Sequence, residues 1–542
     1  MHQISKRFVS VGIAVTLILS IVAVSPGAAS PAPGDPAFFV LTPVAADTGP
    51  SIAHGKSSDR GAPLRDLPLL KPGGGKPGGG GGGGTVDASL QTSAATPLGA
   101  AAGLSFDGVG VGLGSYTDCC APPDTNASVG ATQVVEWVNL DFAVFDKATG
   151  VLLQGPTAGK SIWSGFTGGN CATNNDGDPI VKFDAQAQRW FMTQFSVTGG
   201  PPYYQCIAVS NNADFITSTW TRYAYSFGSN FPDYPKAGVW PDAYYMAFNL
   251  FANGRTFAGA GTCAFDRTKM VAGDLTATGQ CFQLGTSYGG LLPSDLDGAT
   301  GAAGSTALPP AGAPNTFANF GTNALNLWKF HVDFVTSANT TFTGPTTLSV
   351  PAFSTACGGG TCIPQARTTN QLDSLADRLM YRLAYRNFTD HEALVVTHST
   401  KGSGTAAPRW YELRSPGNGT FAVYQASSYA PDATYRWMGS AAMDKVGNMA
   451  IGYSASSSSI SPGIRYTGRT PADALNTLRQ EATVLDGTGS QNGTLHRWGD
   501  YSSMAVDPTD DCTFWYATEY LKADGTFNWS THLTSFKLPA CN

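Results

Sequence analysis

Short apolar stretches recur along this chain in a fixed order. A polar residue, usually Asp, precedes a short apolar strand; a turn of Asp, Asn or Gly follows, then a second apolar strand. The pattern appears in "APPDTNASVGATQVVEWVN", "NDGDPIVKFDAQAQRWFMTQFS", "FPDYPKAGVWPDAYYMAFN", "LADRLMYRLAYRNFTDHEALVVTHS", "YRWMGSAAMDKVGNMAIGYS" and "RWGDYSSMAVDPTDDCTFWYATEY". Its anchors are Asp124, Asp178, Asp233, Asp377, Arg436 and Asp500, with Asp297 in "PSDLDGATG" filling the wide gap after Asp233. Such runs between turn-forming residues are the signature of strands. A strand-only unit repeated about every 63 residues predicts four-stranded blades of a β-propeller. The fold class expected is all-β, a seven-bladed propeller with six blades as the alternative. After Asp500 only three strands remain before the chain stops, so "GLSFDGVGVG", Gly103–Gly112, is expected to supply the fourth and close the ring from the N-terminal side.

Outside the repeats the pattern changes. Lys6 and Arg7 precede an apolar run from Phe8 to Val24 and then "SPGAAS", which reads as a signal peptide over 1–30. The alternative is an uncut anchor, although the run is short for a span of about 20 residues. Residues 31–100 contain "KPGGGKPGGGGGGG" and read as a disordered Pro/Gly-rich spacer. The propeller domain is placed at 101–542, with export to the extracellular space or periplasm, no span after signal cleavage, and a monomer expected.

Composition supports strands. Charged residues are 13% of the chain, and its five Glu (Glu136, Glu392, Glu412, Glu481, Glu519) are too few for long amphipathic helices. The net charge of −6, without a basic block beyond the signal, argues against a nucleic-acid partner. Ten cysteines in an exported chain favour disulfides. Blade geometry pairs Cys171–Cys206, Cys263–Cys281, Cys357–Cys362 and Cys512–Cys541. Cys119–Cys120 remain as a vicinal bridge, unless one of them pairs with Cys171 or Cys206. No Cys or His spacing suits zinc.

In a propeller the inner-strand starts converge on one mouth. Asp124, Asp178, Asp233, Asp297, Asp377 and Asp500 would form a carboxylate ring there, offset by cations, protonation or backbone N–H groups. Crowding separates carboxyl pKa values, and glycoside hydrolysis needs one protonated and one ionised carboxyl group. Asp178 and Asp233 are the first candidates for catalysis, and Asp297 the third. The structural alternative is that such aspartates cap backbone groups or hold calcium, an ion suited to hard oxygen ligands. Arg378, Arg436 and Arg497 adjoin the last three anchors and could bind an acidic sugar bidentately, or could neutralise Asp377 and Asp500. Tyr234, Tyr435, Tyr501 and His496 complete the expected substrate-binding set with Asp124 and Asp500. Asp390, His391 and Glu392 fall in a turn expected on the opposite face, with a solvated or structural role.

"GDPIVKFDAQAQRWFM" resembles the strand that carries a catalytic aspartate in furanosidase-type glycosidase propellers, where Asp-Pro opens an inner strand. Sialidase-like propellers share the layout, but this chain has no Arg-Ile-Pro segment, clear repeated Asp-box or identifiable Tyr–Glu pair. The resemblance covers about 20 residues per repeat. It implies a secreted carbohydrate-active protein, leaning to a glycoside hydrolase on a polysaccharide or acidic glycan. A His/Tyr/Arg set would instead suit a uronate-polysaccharide lyase. A propeller that binds a glycan or protein without catalysis is the third reading.

Overall fold

The computed structural model describes residues 36–49, 87, 89–114, 116 and 120–541. Strands dominate these residues, joined by turns, three short 3-10 segments and one short helix, Arg267–Ala272. Four-stranded antiparallel meanders account for nearly all of them. Meander I comprises Asn126–Val129, Gln133–Val138, Asp141–Asp146 and Leu152–Ala158, and meander II Ile180–Asp184, Arg189–Ser196, Tyr203–Ser210 and Trp220–Gly228. Meander III comprises Asn230–Val239, Ala243–Ala252, Thr256–Asp266 and Gly279–Gln283, and meander IV Leu292–Leu296, Asn315–Gly321, Ala324–His331 and Thr341–Ser349. Meander V comprises Met380–Asn387, Glu392–Lys401, Ala406–Ser415 and Ala422–Tyr429, and meander VI Tyr435–Met443, Met449–Ser457, Ile460–Arg469 and Ala482–Gly487. Meander VII takes Ser503–Val506, Thr513–Leu521 and Trp529–Lys537 from the C-terminal end and Ala101–Gly110 from the N-terminal side. Ala101–Gly110 pairs antiparallel with Trp529–Lys537, so the outermost strand of the last meander comes from far upstream.

The first strands of consecutive meanders touch in a cycle that runs from I to VII and back to I. Meanders IV and V also join edge to edge, where Ser294, Asp295 and Leu296 pair in parallel with Leu383, Ala384 and Tyr385. Stacking covers both faces of each sheet, which is why many strands are nearly continuously apolar rather than alternating. In Ala243–Ala252, Tyr244, Met246, Phe248 and Leu250 pack toward meander II, and Ala243, Tyr245 and Ala247 toward meander IV. Between meanders I and II, Trp137, Trp163, Trp190 and Trp220 surround Cys171 and Cys206.

Four expected disulfides are present: Cys171–Cys206, Cys263–Cys281, Cys357–Cys362 and Cys512–Cys541. The fifth, Cys119–Cys120, includes Cys119, which lies outside the described residues, as do the signal segment and the glycine tract. The stretch expected to be a spacer differs at both ends. Ala37–Leu41 adds to the free edge of Gly279–Gln283 and Pro43–Gly49 to that of Trp220–Gly228, each as a fifth strand. Asp47 accepts two bonds from Arg222, at 2.7 and 2.6 Å. Leu90–Gln91 pairs with the outer strand of meander V. The average composition over 31–100 is rich in Gly and Pro, and it hides the two short runs "AFFVL" and "PVAADTG", each recruited by one otherwise uncovered edge.

Candidate active site

Backbone geometry at the strand starts positions the site. Asp124, Asp178, Tyr234, Met438 and Asp500 all have left-handed backbones, with φ of 51°, 44°, 53°, 56° and 54°. Asp124, Asp178 and Asp500 stand two or three residues before their inner strands begin to pair at Asn126, Ile180 and Ser503, whereas Tyr234 and Met438 lie inside strands that pair from Asn230 and Tyr435, two residues before pairing resumes at Lys236 and Ser440. At Asp233–Lys236 and at Trp437–Ser440 the register slips through a bulge. Bulges re-aim side chains where a strand begins. Asp tolerates the left-handed region better than most residues, whereas Tyr pays strain there.

These starts bring Asp124, Asp178, Asp233, Tyr234, Lys236, Arg378, Arg497, Asp500 and Tyr501 together. Asp124 and Asp178 share a hydrogen bond between their carboxyl groups. The Tyr234 N–H donates to Asp178 Oδ2 at 3.2 Å, and the Tyr234 hydroxyl donates to the Asp500 carbonyl at 3.2 Å. Arg497 Nη2 donates to Asp500 Oδ2 at 2.5 Å, and Arg378 is paired with Asp377 at 2.7 and 3.0 Å. Lys236 Nζ lies 3.3 Å from the Tyr234 ring centroid and 4.0 Å from that of Tyr501, and donates to its neighbour's carbonyl, Pro235 O, at 2.8 Å. The rings of Tyr234, Tyr381 and Tyr501 form an aromatic floor.

Burial governs the charges. It pushes the Asp233 carboxyl up to about 8, helped by the charges of Asp178 and Asp500 and opposed by Arg378 and Lys236. It also raises Asp124 well above the usual carboxylate range, with Asp500 and Asp178 adding repulsion. Asp178 is raised too, chiefly by burial, with Lys236 pulling the other way. Burial lowers the Lys236 ammonium to about 7 against the attraction of Asp178, Asp124 and Asp500. The depth of the groups differs. Asp178 and Asp233 are half-buried, whereas Asp124, Asp500 and Lys236 are buried. Asp124 Oδ1, Asp500 Oδ1 and the Tyr501 hydroxyl are buried polar atoms with no partner among the described residues. Three such atoms in one place mark a site that water or a ligand completes.

The remaining candidates lie elsewhere. Asp297 follows its inner strand, Leu292–Leu296, instead of preceding it, so it belongs at the other end of that strand. It is almost fully buried, accepts from Arg382 Nη1 at 2.6 Å and from the Met443 N–H at 3.1 Å. Its carboxylate is taken up by these two partners, and it does not join the other two catalytic candidates. Asp295 next to it is bound by both Arg382 and Lys182. Arg436 is fully buried and doubly neutralised, at 3.0 Å by Asp432 and 2.7 Å by Glu481. The expectation of an open cation there fails because both acids lie outside its anchor segment. The Tyr435 hydroxyl donates to Gly404 O at 3.1 Å. His496 is exposed, with Nδ1 2.8 Å from Gln371 O. Glu392 is buried and accepts from Tyr385, Ser415 and the Gly419 N–H, a structural role, while Asp390 is exposed beside His391.

Among the described residues no group of three or more His, Cys, Asp or Glu is arranged to hold a metal. Lys236, Arg378 and Arg497 set positive charge against the carboxyl groups of the cluster. Lys236 was missed in the sequence, although a lone Lys inside "YPKAGVW", three residues after an anchor, was a signal.

No protein-family model and no curated protein matches the chain. Distant structural likenesses include the endo-1,5-alpha-L-arabinanase of Thermotoga petrophila RKU-1 in complex with TRIS, at 12% identity and a TM-score of 0.27 over 79% of this chain and 100% of that one. A protein solved as an RGII complex gives 12% identity and a TM-score of 0.25 over 67% and 87%. Drosophila Plexin A in complex with Semaphorin 1b gives 6% and 0.24 over 82% and 88%. These likenesses are too remote to bear on fold or activity.

Proposed function

We propose that the chain is a secreted seven-bladed β-propeller and a glycoside hydrolase, with Asp233 as general acid and Asp178 as the ionised partner. The observation that carries this reading is the contrast within the cluster. Asp178 and Asp233 are both half-buried, but the charges of Asp178 and Asp500 add to the rise at Asp233, whereas Lys236 and the bond from Asp124 oppose the rise at Asp178. Asp233 keeps its proton at neutral pH and can deliver it to a glycosidic oxygen as the bond to the leaving sugar breaks. Asp178 accepts from Asp124 and from the Tyr234 N–H and feels the Lys236 ammonium, all of which favour its ionised form. As a carboxylate it can meet the oxocarbenium-like centre, either directly or through a water it deprotonates. Arg378 and Arg497 keep the neighbouring acids paired. Seven meanders, the cycle of first strands and the closing strand support the propeller, and four disulfides support export to an oxidising compartment.

The test is a screen of the purified protein against neutral and acidic polysaccharides, reading new reducing ends and absorbance from unsaturated uronates. Reducing ends without unsaturation, abolished by Asp178→Asn and Asp233→Asn, are the expected result. Unsaturated products would point instead to the lyase reading, with Tyr501 and the two arginines at the centre. No product would leave a glycan- or protein-binding propeller.

A further inference from the structure

The loop that carries Arg497 and Asp500 also walls a second feature. His496 joins Thr361, Thr368, Thr369, Asn370 and Gln371 around an open cleft of about 400 Å³, within the ~300–1,000 Å³ range of small-molecule sites. Buried amides hold its walls. The Gln491 N–H donates to Gln365 Oε1 at 2.7 Å, and Gln365 Nε2 donates to Gln491 O at 3.1 Å and Asn370 O at 3.0 Å. Gln365 and Gln491 are almost fully buried. Asn370 Nδ2 donates to Gln491 O at 2.9 Å and Leu495 O at 2.8 Å, and the Asp373 N–H donates to His496 O at 2.8 Å. The Cys357–Cys362 bridge sits beside Thr361 at the rim.

The same frame reaches the candidate active site. Gln491 Nε2 donates to Arg497 O at 2.8 Å. The Arg497 guanidinium in turn holds Asp500 and acts electrostatically on Asp124 and Asp178. The cleft and the carboxylate cluster are therefore fixed to one another through a few buried amides.

The lining is chemically selective. It offers hydroxyls, amides and an imidazole, with neither a large apolar side chain nor a formal charge from Asp, Glu, Lys or Arg. Hydroxyl and amide groups exchange water for sugar hydroxyls at small net cost. An acidic chain would find no cation there, and an apolar ligand nothing to bury against. We propose that this cleft is a subsite for neutral sugar units flanking the cleaved bond, so that the substrate is a neutral polysaccharide held over several units. The cleavage point rests on the hydrolase reading above; the cleft's ability to bind neutral glycan does not.

The experiment uses the full-length Asp178→Asn protein, so that binding is read without turnover. Neutral pentose and hexose oligosaccharides of two and six units, and a six-unit galacturonate oligomer, are titrated calorimetrically. A neutral hexamer should bind more tightly than its dimer and than the galacturonate. Adding Thr369→Arg, at an exposed position, should weaken the hexamer about tenfold, equivalent to about 1.4 kcal/mol, with an unchanged Tm. His496→Ala should weaken it in the same direction. The proposal is overturned if no neutral oligomer binds, if galacturonate binds best, or if neither substitution changes the hexamer affinity. Glycan binding that depends on Thr369, in a protein whose native form releases no reducing ends, would keep the subsite and refute the hydrolase.

Discussion

Replacing Asp233 with Asn separates its chemistry from its place in the fold. Burial first, then the charges of Asp178 and Asp500, push its carboxyl up to about 8. An amide nearly matches the protonated acid in shape, so Asp233→Asn keeps the packing and removes only the labile proton. In the unfolded chain an Asp titrates near 3.9. Between about pH 4 and 8 the folded protein therefore retains a proton that the unfolded chain has released. Stability present below that window is lost as pH rises through it, at up to about 1.4 kcal/mol per pH unit. The side chain is half-buried, and screening by solvent reduces the total to about 2–3 kcal/mol between pH 5 and 8. Urea melts of wild type and variant at half-unit pH steps should diverge by that amount, with the variant relatively more stable at pH 8. Glycan hydrolysis should vanish in the variant at every pH. Parallel stability curves, or a variant that still releases reducing ends, would refute the assignment of Asp233 as a buried acid.

Three further outcomes follow from the same geometry. Lys236→Met removes an ammonium that favours ionised Asp178, so the acidic limb of the kcat–pH profile should move to higher pH; an unmoved limb would show that Lys236 does not act on the reacting carboxylate. Asp297→Asn should leave hydrolysis intact and cost about 3 kcal/mol in urea, because it breaks a buried pair with Arg382; lost activity in a folded variant would return Asp297 to the catalytic set. Deleting residues 36–49 uncovers the edges of Trp220–Gly228 and Gly279–Gln283, so Tm should fall by several degrees and light scattering should report self-association; an unchanged Tm would mean that the two added strands contribute nothing.

The repeats were legible because several inner strands carry a left-handed residue at or near their start, and an Asp before an apolar strand is visible at that spacing. The strand at Ala101–Gly110 was legible because the last meander runs out of chain. Four disulfides followed from where the cysteines fall in the blades, Cys263–Cys281 on neighbouring strands and Cys357–Cys362 across a tight loop. The site was only half legible. Asp178, Asp233, Arg497 and Tyr501 come together as their spacing suggests, but sequence cannot say whether an anchor precedes or follows its strand. Asp297 sits at the wrong end for that reason. Nor can sequence show that Arg436 meets Glu481, 45 residues away, or that Lys236 lies between two tyrosine rings.

The recurrence of Asp has two causes that the structure separates. At Asp124, Asp178 and Asp500 the residue with the left-handed backbone is the aspartate itself, so its side chain suits the turn whether or not it does chemistry. At meander III the left-handed residue is Tyr234, one position later. A bulky Tyr is a costly choice for that conformation, yet its ring covers Lys236 and its N–H meets Asp178. Asp233 is thereby released from the backbone requirement. It stands where an ordinary strand residue would do, half-exposed, its proton retained by burial and by the neighbouring carboxylates rather than by a turn. Of the carboxyl groups in the cluster, Asp233 is the one that the fold itself has least need of, which suits it to the acid role proposed for it.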